Sequence, residues 1–187
     1  IERNKVYNAY NAGLVAINPK NGEVLAMTVG TGNYYAPPFP KNCVSGVNCL
    51  FDPKFNVVVG TKTNPGRQPG SAFKPFVYAT AFKKGFTATT TVVDEETNFG
   101  VWGDKEYIPQ NYDEKFRGEI TLKEALAQSI NVASVKVLRD YAGLGDMNVG
   151  LRDSVKTARD LGITTLKPPY GPSIVLGGWE VKLLDMA

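Results

Sequence analysis

The chain has 187 residues, 43% hydrophobic and 21% charged. That fits one globular domain with a sizeable core and excludes a disordered or fibrous chain. Lys and Arg number 21 against 18 Asp and Glu, a net charge of +3, too mild to argue for nucleic acid, which needs a clustered basic face. Histidine is absent, so Ser-His-Asp and Cys-His catalysis and imidazole metal sites are excluded. The two cysteines cannot close a four-cysteine zinc site. A general base therefore has to be a carboxylate, a lysine or something rarer, and no metal or cofactor is expected. No run is apolar for long enough to cross a membrane, and no signal peptide opens the chain. Ile1 and Ala187, the latter in an apolar run with Leu183, Leu184 and Met186, read as the ends of an excised piece of a longer protein.

In chain order, Leu14-Val15-Ala16-Ile17 and Glu23 to Val29 flank the turn chemistry of Asn18-Pro19-Lys20-Asn21-Gly22, which predicts a hairpin. Both arms are continuous more than alternating, so they are expected centrally in a sheet with both faces covered. Residues 30–70, punctuated by Pro37-Pro38, Pro40, Asn64-Pro65-Gly66 and Pro69-Gly70, read as irregular. Gly30-Thr31-Gly32 lacks the third glycine of a dinucleotide loop, Tyr35 standing in its place. Cys43 and Cys49 enclose five residues; a local disulfide and two free thiols both remain open.

A helix is expected from Ser71 to Gly85, with Phe76, Val77, Ala79, Ala81 and Phe82 as its apolar face. Residues 86–118 read as irregular. Thr121-Leu122-Lys123-Glu124 is a capping-box sequence. Further helices are expected over Val132 to Ala142 and Leu151 to Leu161, stopped by Gly143 and Gly162. A hairpin with helices, and no regular βαβ alternation, predicts an α+β fold.

Two short motifs carry chemistry. Ser71 and Lys74, three apart at a helix start, share a face, so the amine can approach the hydroxyl. The unpaired N–H groups and positive dipole of a helix start favour an oxyanion and, with burial, the neutral amine a base needs. Pro75 is tolerated so early in a helix. Ser129-Ile130-Asn131 falls at a break between helices, where a hydroxyl and an amide can project into a cleft to relay a proton and to hold the lysine and the substrate backbone. At this composition chance supplies about 0.5 occurrences of the first pattern and about 0.45 of the second. The tetrapeptides alone therefore favour an N-capping serine beside a solvated lysine.

Their context reverses that preference. Arg67-Gln68-Pro69-Gly70-Ser71-Ala72-Phe73-Lys74-Pro75-Phe76 resembles the nucleophile segment of penicillin-binding proteins, in particular the transpeptidase domain of the bifunctional class A enzymes. The hairpin from Leu14 to Met27 is similar to that family's opening hairpin. Pro109-Gln110-Asn111-Tyr112 and Phe116-Arg117-Gly118 resemble its approach to the second motif, and Ala125 to Ala133 the second motif itself. Leu176 to Ala187 resembles the stretch leading toward the third. The resemblance implies a penicillin-binding/serine β-lactamase-like fold, an antiparallel sheet packed by helices, over residues 13–187, with 1–12 as the end of a preceding region. It implies acyl transfer from a D-Ala-D-Ala stem peptide of peptidoglycan through Ser71 to an amine, with Lys74 accepting the proton. Ser129 and Asn131 are the expected relay and orienting groups. Gly70, Asn131 and Tyr112 are the expected substrate contacts, and the Ser71 N–H is part of the oxyanion hole.

β-Lactams are the implied inhibitors. The implied location is the extracytoplasmic face of the bacterial membrane, reached through regions of the parent protein. The third motif, Lys-Thr-Gly, is expected beyond Ala187 together with later sheet strands, leaving the hairpin with an unpaired edge and the piece doubtful as a catalyst alone. A β-lactamase is disfavoured because Ile130 replaces the aspartate of Ser-Asp-Asn and the run from Glu180 to Leu184 ends in leucine. A D,D-carboxypeptidase or endopeptidase, a penicillin sensor and a non-catalytic scaffold remain as alternatives. Trp102, Tyr107 and Tyr112 read as aromatics over core edges before they read as a groove, and Asp94-Glu95-Glu96 reads as a solvated acidic turn. Arg67 reads equally as a brace for its loop and as a guide for a substrate carboxylate.

Overall fold

The computed structural model describes residues 11–29, 33–45, 47–61, 64 and 66–187. Gly30 to Gly32 and most of the expected 1–12 linker lie outside the described residues. The chain divides into two compact units.

The first unit holds residues up to Arg67 with 162–165 and 180–187. Strands β1 (Gly13–Ile17) and β2 (Val24–Val29) pair antiparallel, Gly13 opposite Val29 and Val15 opposite Met27, with the register shifting between Ala16 and Ile17. The turn folds because Asn18 accepts from Gly22 N while its own N–H donates to Glu23 O. The expectation of full coverage is not met. Leu14 is 52% and Leu25 63% exposed, because the described residues place a two-stranded sheet here. What packs against β1 is the short C-terminal helix Leu183–Met186, together with Val57 and Val58, which crowd Gly13.

Cys43 and Cys49 form a disulfide, Cα atoms 5.0 Å apart. An antiparallel bridge between Phe39 and Phe51 closes the same loop at its base. Arg67 braces its loop: its guanidinium donates to Asn64 Oδ1 at 2.9 Å and Gly66 O at 2.8 Å and lies over the Phe55 ring.

The second unit, residues 68–161 and 166–179, carries the candidate site. A 3-10 turn, Gly70–Phe73, runs straight into helix α1 (Lys74–Lys83). Strand β3 (Thr91–Asp94) pairs antiparallel with β6 (Gly118–Thr121), and β4 (Val101–Trp102) with β5 (Lys105–Glu106). The stretch expected to be irregular thus contains strands. In β3 the pattern is the buried-exposed alternation of a half-covered strand, Val92 and Asp94 inward.

Thr121 and Glu124 form the expected reciprocal capping box at the start of α2 (Leu122–Ala127). Helix α3 (Asn131–Lys136) continues with π-type hydrogen bonding to Ala142. Helix α4 (Met147–Asp160) starts four residues earlier than expected, because the Asp146 side chain accepts from Asn148 N and Val149 N. Val77, Tyr78 and Ala81 of α1, Val132, Val135 and Leu138 of the α3 segment, and Leu151, Val155 and Ala158 of α4 form the buried core. Gly150 lets α4 approach closely: a Cβ there would sit 2.0 Å from Leu138 O. Lys84, exposed at the end of α1, pairs with Asp153 at 2.7 Å. Among the described residues no helix is long and apolar enough to cross a membrane.

Candidate active site

The 3-10 start of α1 sets the first half of the site. With three residues per turn, side chains at i and i+3 eclipse, so Ser71 and Lys74 stand one turn apart on one face. The Lys74 N–H donates to Ser71 O. Gly70, just before the serine, has φ +58°, a left-handed conformation that glycine adopts without the Cβ clash. The site residues divide sharply by exposure: Ser71 is exposed and Lys74 is wholly buried.

The second half is the break between α2 and α3. Ser129 has φ +57°, a strained state for a residue with a Cβ, worth roughly 1–2 kcal/mol. Turned this way, Ser129 presents two oxygens to the lysine. Lys74 Nζ donates to Ser129 O at 2.6 Å, Ser129 Oγ at 3.0 Å and Asn131 Oδ1 at 2.9 Å. Three acceptors take up the three protons of an ammonium; Ser71 Oγ is not among them. Burial disfavours the charged amine and lowers its pKa from 10.5 to about 8. The structure therefore brings Lys74, Ser129 and Asn131 into direct contact and sets Ser71 one turn away.

Other expected residues fall differently. Tyr112 is fully exposed. Trp102 is half-buried and donates its indole N–H to Phe99 O at 3.1 Å. Tyr107 is half-buried against Phe99, with ring centroids 6.3 Å apart, and burial pushes its hydroxyl up to about 12. The acidic turn needs correcting: Asp94 is fully buried, because its carboxylate accepts from the Asn111 side chain and from Arg117 N, while Glu95 pairs with Lys136 at 2.8 Å. Asn111 is the residue that local sequence reading missed. Its Oδ1 accepts from Asn131 N at 3.0 Å and Val132 N at 3.1 Å, and the signal was only its place in the Pro109–Tyr112 run. Among the described residues no group of three or more Cys, Asp or Glu could hold a metal ion.

The model of the penicillin-binding protein transpeptidase domain matches residues 12–171. The chain belongs to that family. This penicillin-binding protein chain is 33% identical over 174 residues to penicillin-binding protein 1A of Aquifex aeolicus, covering 92% of the chain and 20% of the relative. It is 34% identical over 176 residues to penicillin-binding protein 2D of Bacillus subtilis, covering 93% and 21%. The chain thus spans about a fifth of the length of these curated relatives. The crystal structure of penicillin-binding protein 1A from Haemophilus influenzae superposes with a TM-score of 0.69 at 24% identity, over 95% of this chain and 22% of that one. PonA1 of Mycobacterium tuberculosis in complex with penicillin V gives 0.66 at 20% identity, over 98% and 45%. These structures share the fold: the α+β architecture is that of the penicillin-binding transpeptidases.

Proposed function

We propose that residues 13–187 carry the nucleophile half of a serine D,D-transpeptidase site, in which Ser71 attacks the D-Ala-D-Ala bond of a peptidoglycan stem peptide. The observation that carries this reading is the buried Lys74 amine, held by Ser129 and Asn131 one 3-10 turn from an exposed serine. Without histidine, this lysine is the base the geometry offers.

As an ammonium Lys74 has no lone pair for the Ser71 proton. Loss of one proton frees that lone pair, and of the three acceptors only the Ser129 hydroxyl can turn round and donate. Ser129 is therefore the group placed to pass a proton onward. In the first half-reaction Ser71 Oγ bonds to the carbonyl carbon and its proton passes to Lys74. The C–N bond then breaks, and D-alanine leaves with a proton delivered through Ser129. In the second, the amine of a neighbouring stem peptide attacks the ester, a new amide forms and Ser71 recovers its proton. The Ser71 N–H belongs to the oxyanion hole. Gly70, Asn131 and the exposed ring of Tyr112 contact the peptide. The parent protein works at the extracytoplasmic face of the membrane, and β-lactams acylate the same serine.

Penicillin acylation should rise with pH through about 8, because Lys74 gives up its proton there and only the neutral amine accepts from Ser71. A stopped-flow profile from pH 6 to 10 checks this; a rate that is flat or falls over that range contradicts the assignment. Incubating the full-length protein with a D-Ala-D-Ala stem peptide and an acceptor amine tests the function. The expected products are the cross-linked peptide and free D-alanine. Hydrolysed donor without cross-link would instead assign a carboxypeptidase, and no turnover beside β-lactam acylation a sensor.

A further inference from the structure

We infer that Asn111, held by the buried carboxylate of Asp94, is a positioning residue that sets the Ser129–Asn131 bend for catalysis; the inference rests on the acyl-transfer reading above. Asp94 ends β3 and is shut off from solvent. Both its oxygens accept from Asn111 Nδ2 at 3.0 Å, and Oδ2 also accepts from Arg117 N at 2.9 Å. The same Nδ2 donates to Lys115 O at 2.8 Å. A carboxylate and a backbone carbonyl only accept, so the amide nitrogen has to face them and Asn111 Oδ1 has to face α3.

There Oδ1 accepts from Asn131 N and Val132 N, two of the donors that a helix start leaves without partners. The local N-cap residue, Ile130, supplies no side-chain cap. A residue 20 positions away in sequence therefore does the capping. The adjacent Gln110 carbonyl accepts from Asn131 Nδ2 at 3.0 Å, so the 110–111 segment grips Asn131 by backbone and side chain together. That leaves Asn131 Oδ1 for Lys74. Two residues earlier, Ser129 sits in its left-handed conformation, which a non-glycine residue keeps only where its surroundings over-determine it. The charge on Asp94 strengthens the chain of hydrogen bonds by polarising the amide between it and the helix.

A side-chain exchange tests the polarity of this link. Asn111→Asp alone sets two carboxylates face to face in a buried place. The double variant Asp94→Asn with Asn111→Asp restores one donor against one acceptor between the two side chains and keeps an oxygen toward α3, but it leaves Lys115 O facing a carboxylate oxygen. Asn111→Ala and Asn111→Asp should each lower the limiting acylation rate of the full-length protein by penicillin at least about 10-fold. The half-saturating penicillin concentration should stay within about threefold, as for a residue that acts on the chemical step. The exchange should recover part of the loss relative to Asn111→Asp, and amide hydrogen exchange at Asn131 and Val132 should quicken in Asn111→Ala. If the single variants unfold, a folded and active exchange variant still supports the link, and an exchange variant that acylates at the wild-type rate with unprotected amides at Asn131 and Val132 overturns it. Wild-type rates in Asn111→Ala, while wild-type protein is acylated on Ser71, overturn this inference alone. No adduct on wild-type protein overturns it together with the acyl-transfer reading.

Discussion

Replacing Lys74 with alanine should slow penicillin acylation by about 100- to 10,000-fold, the usual worth of a positioned general base. The expectation is at the upper end because the chain has no histidine to take over. The substitution also strips the donor from Ser129 O, Ser129 Oγ and Asn131 Oδ1, part-buried acceptors whose loss of a partner costs at most what it costs a buried one, about 1–3 kcal/mol. A structural loss and a chemical loss therefore have to be separated. Lys74→Arg does so: the guanidinium brings donors for the same oxygens but never deprotonates in a protein. If Lys74 is the base, the arginine variant folds closer to wild type than the alanine variant and is still defective in acylation. Its rate should also lose the rise near pH 8. Stopped-flow acylation with parallel thermal melts reads both quantities. An alanine variant within tenfold of wild type would remove Lys74 from the chemistry.

The second large effect lies on the far side of the serine. Gly177 ends the 3-10 turn Pro172–Leu176 with φ +75°, and its backbone lies directly against Gly70. A Cβ built on Gly177 would sit 2.2 Å from Gly70 O, 2.3 Å from Gly70 N and 2.5 Å from its Cα. These are backbone atoms of the residue joined to Ser71, so relief can come only by moving the main chain that carries the nucleophile. Gly177→Ala should cost about 3 kcal/mol or more, combining overpacking with a left-handed alanine, and should displace Ser71 enough to cut acylation at least about 100-fold. Gly70→Ala is the contrast. Its φ of +58° is also left-handed, yet nothing lies within 4 Å of the added Cβ, so it should lose only about 1–2 kcal/mol. Thermal melts and acylation rates of the two variants check the ordering. Equal behaviour would mean that the glycine contact does not set the position of the serine.

What could be read in advance was whatever is encoded locally. The hairpin turn at Asn18–Gly22, the helix that begins beside Ser71 and the capping box at Thr121 each depend on residues within four or five positions of one another, and each is present. The convergence of Lys74 with Ser129 and Asn131 was reached through resemblance, since these contacts join residues 55 and 57 apart and no local pattern reports them. The misses share this cause. Asp94 looked like part of a solvated acidic turn because nothing beside it shows that Asn111 and Arg117 converge on it from 17 and 23 residues away. The early start of α4 was hidden because Asp146 caps it ahead of the apolar face. The hairpin's continuous apolar arms were expected to be covered on both sides; composition states that a surface is apolar, not which neighbour covers it.

The most direct test of the serine acyl-transfer account is the intact mass of the full-length protein after incubation with benzylpenicillin, beside Ser71→Ala treated identically. The account predicts one covalent penicilloyl adduct per chain, mapped to Ser71 by peptide digestion and absent from the folded alanine variant. An adduct that survives Ser71→Ala, or none on folded wild-type protein, would contradict it.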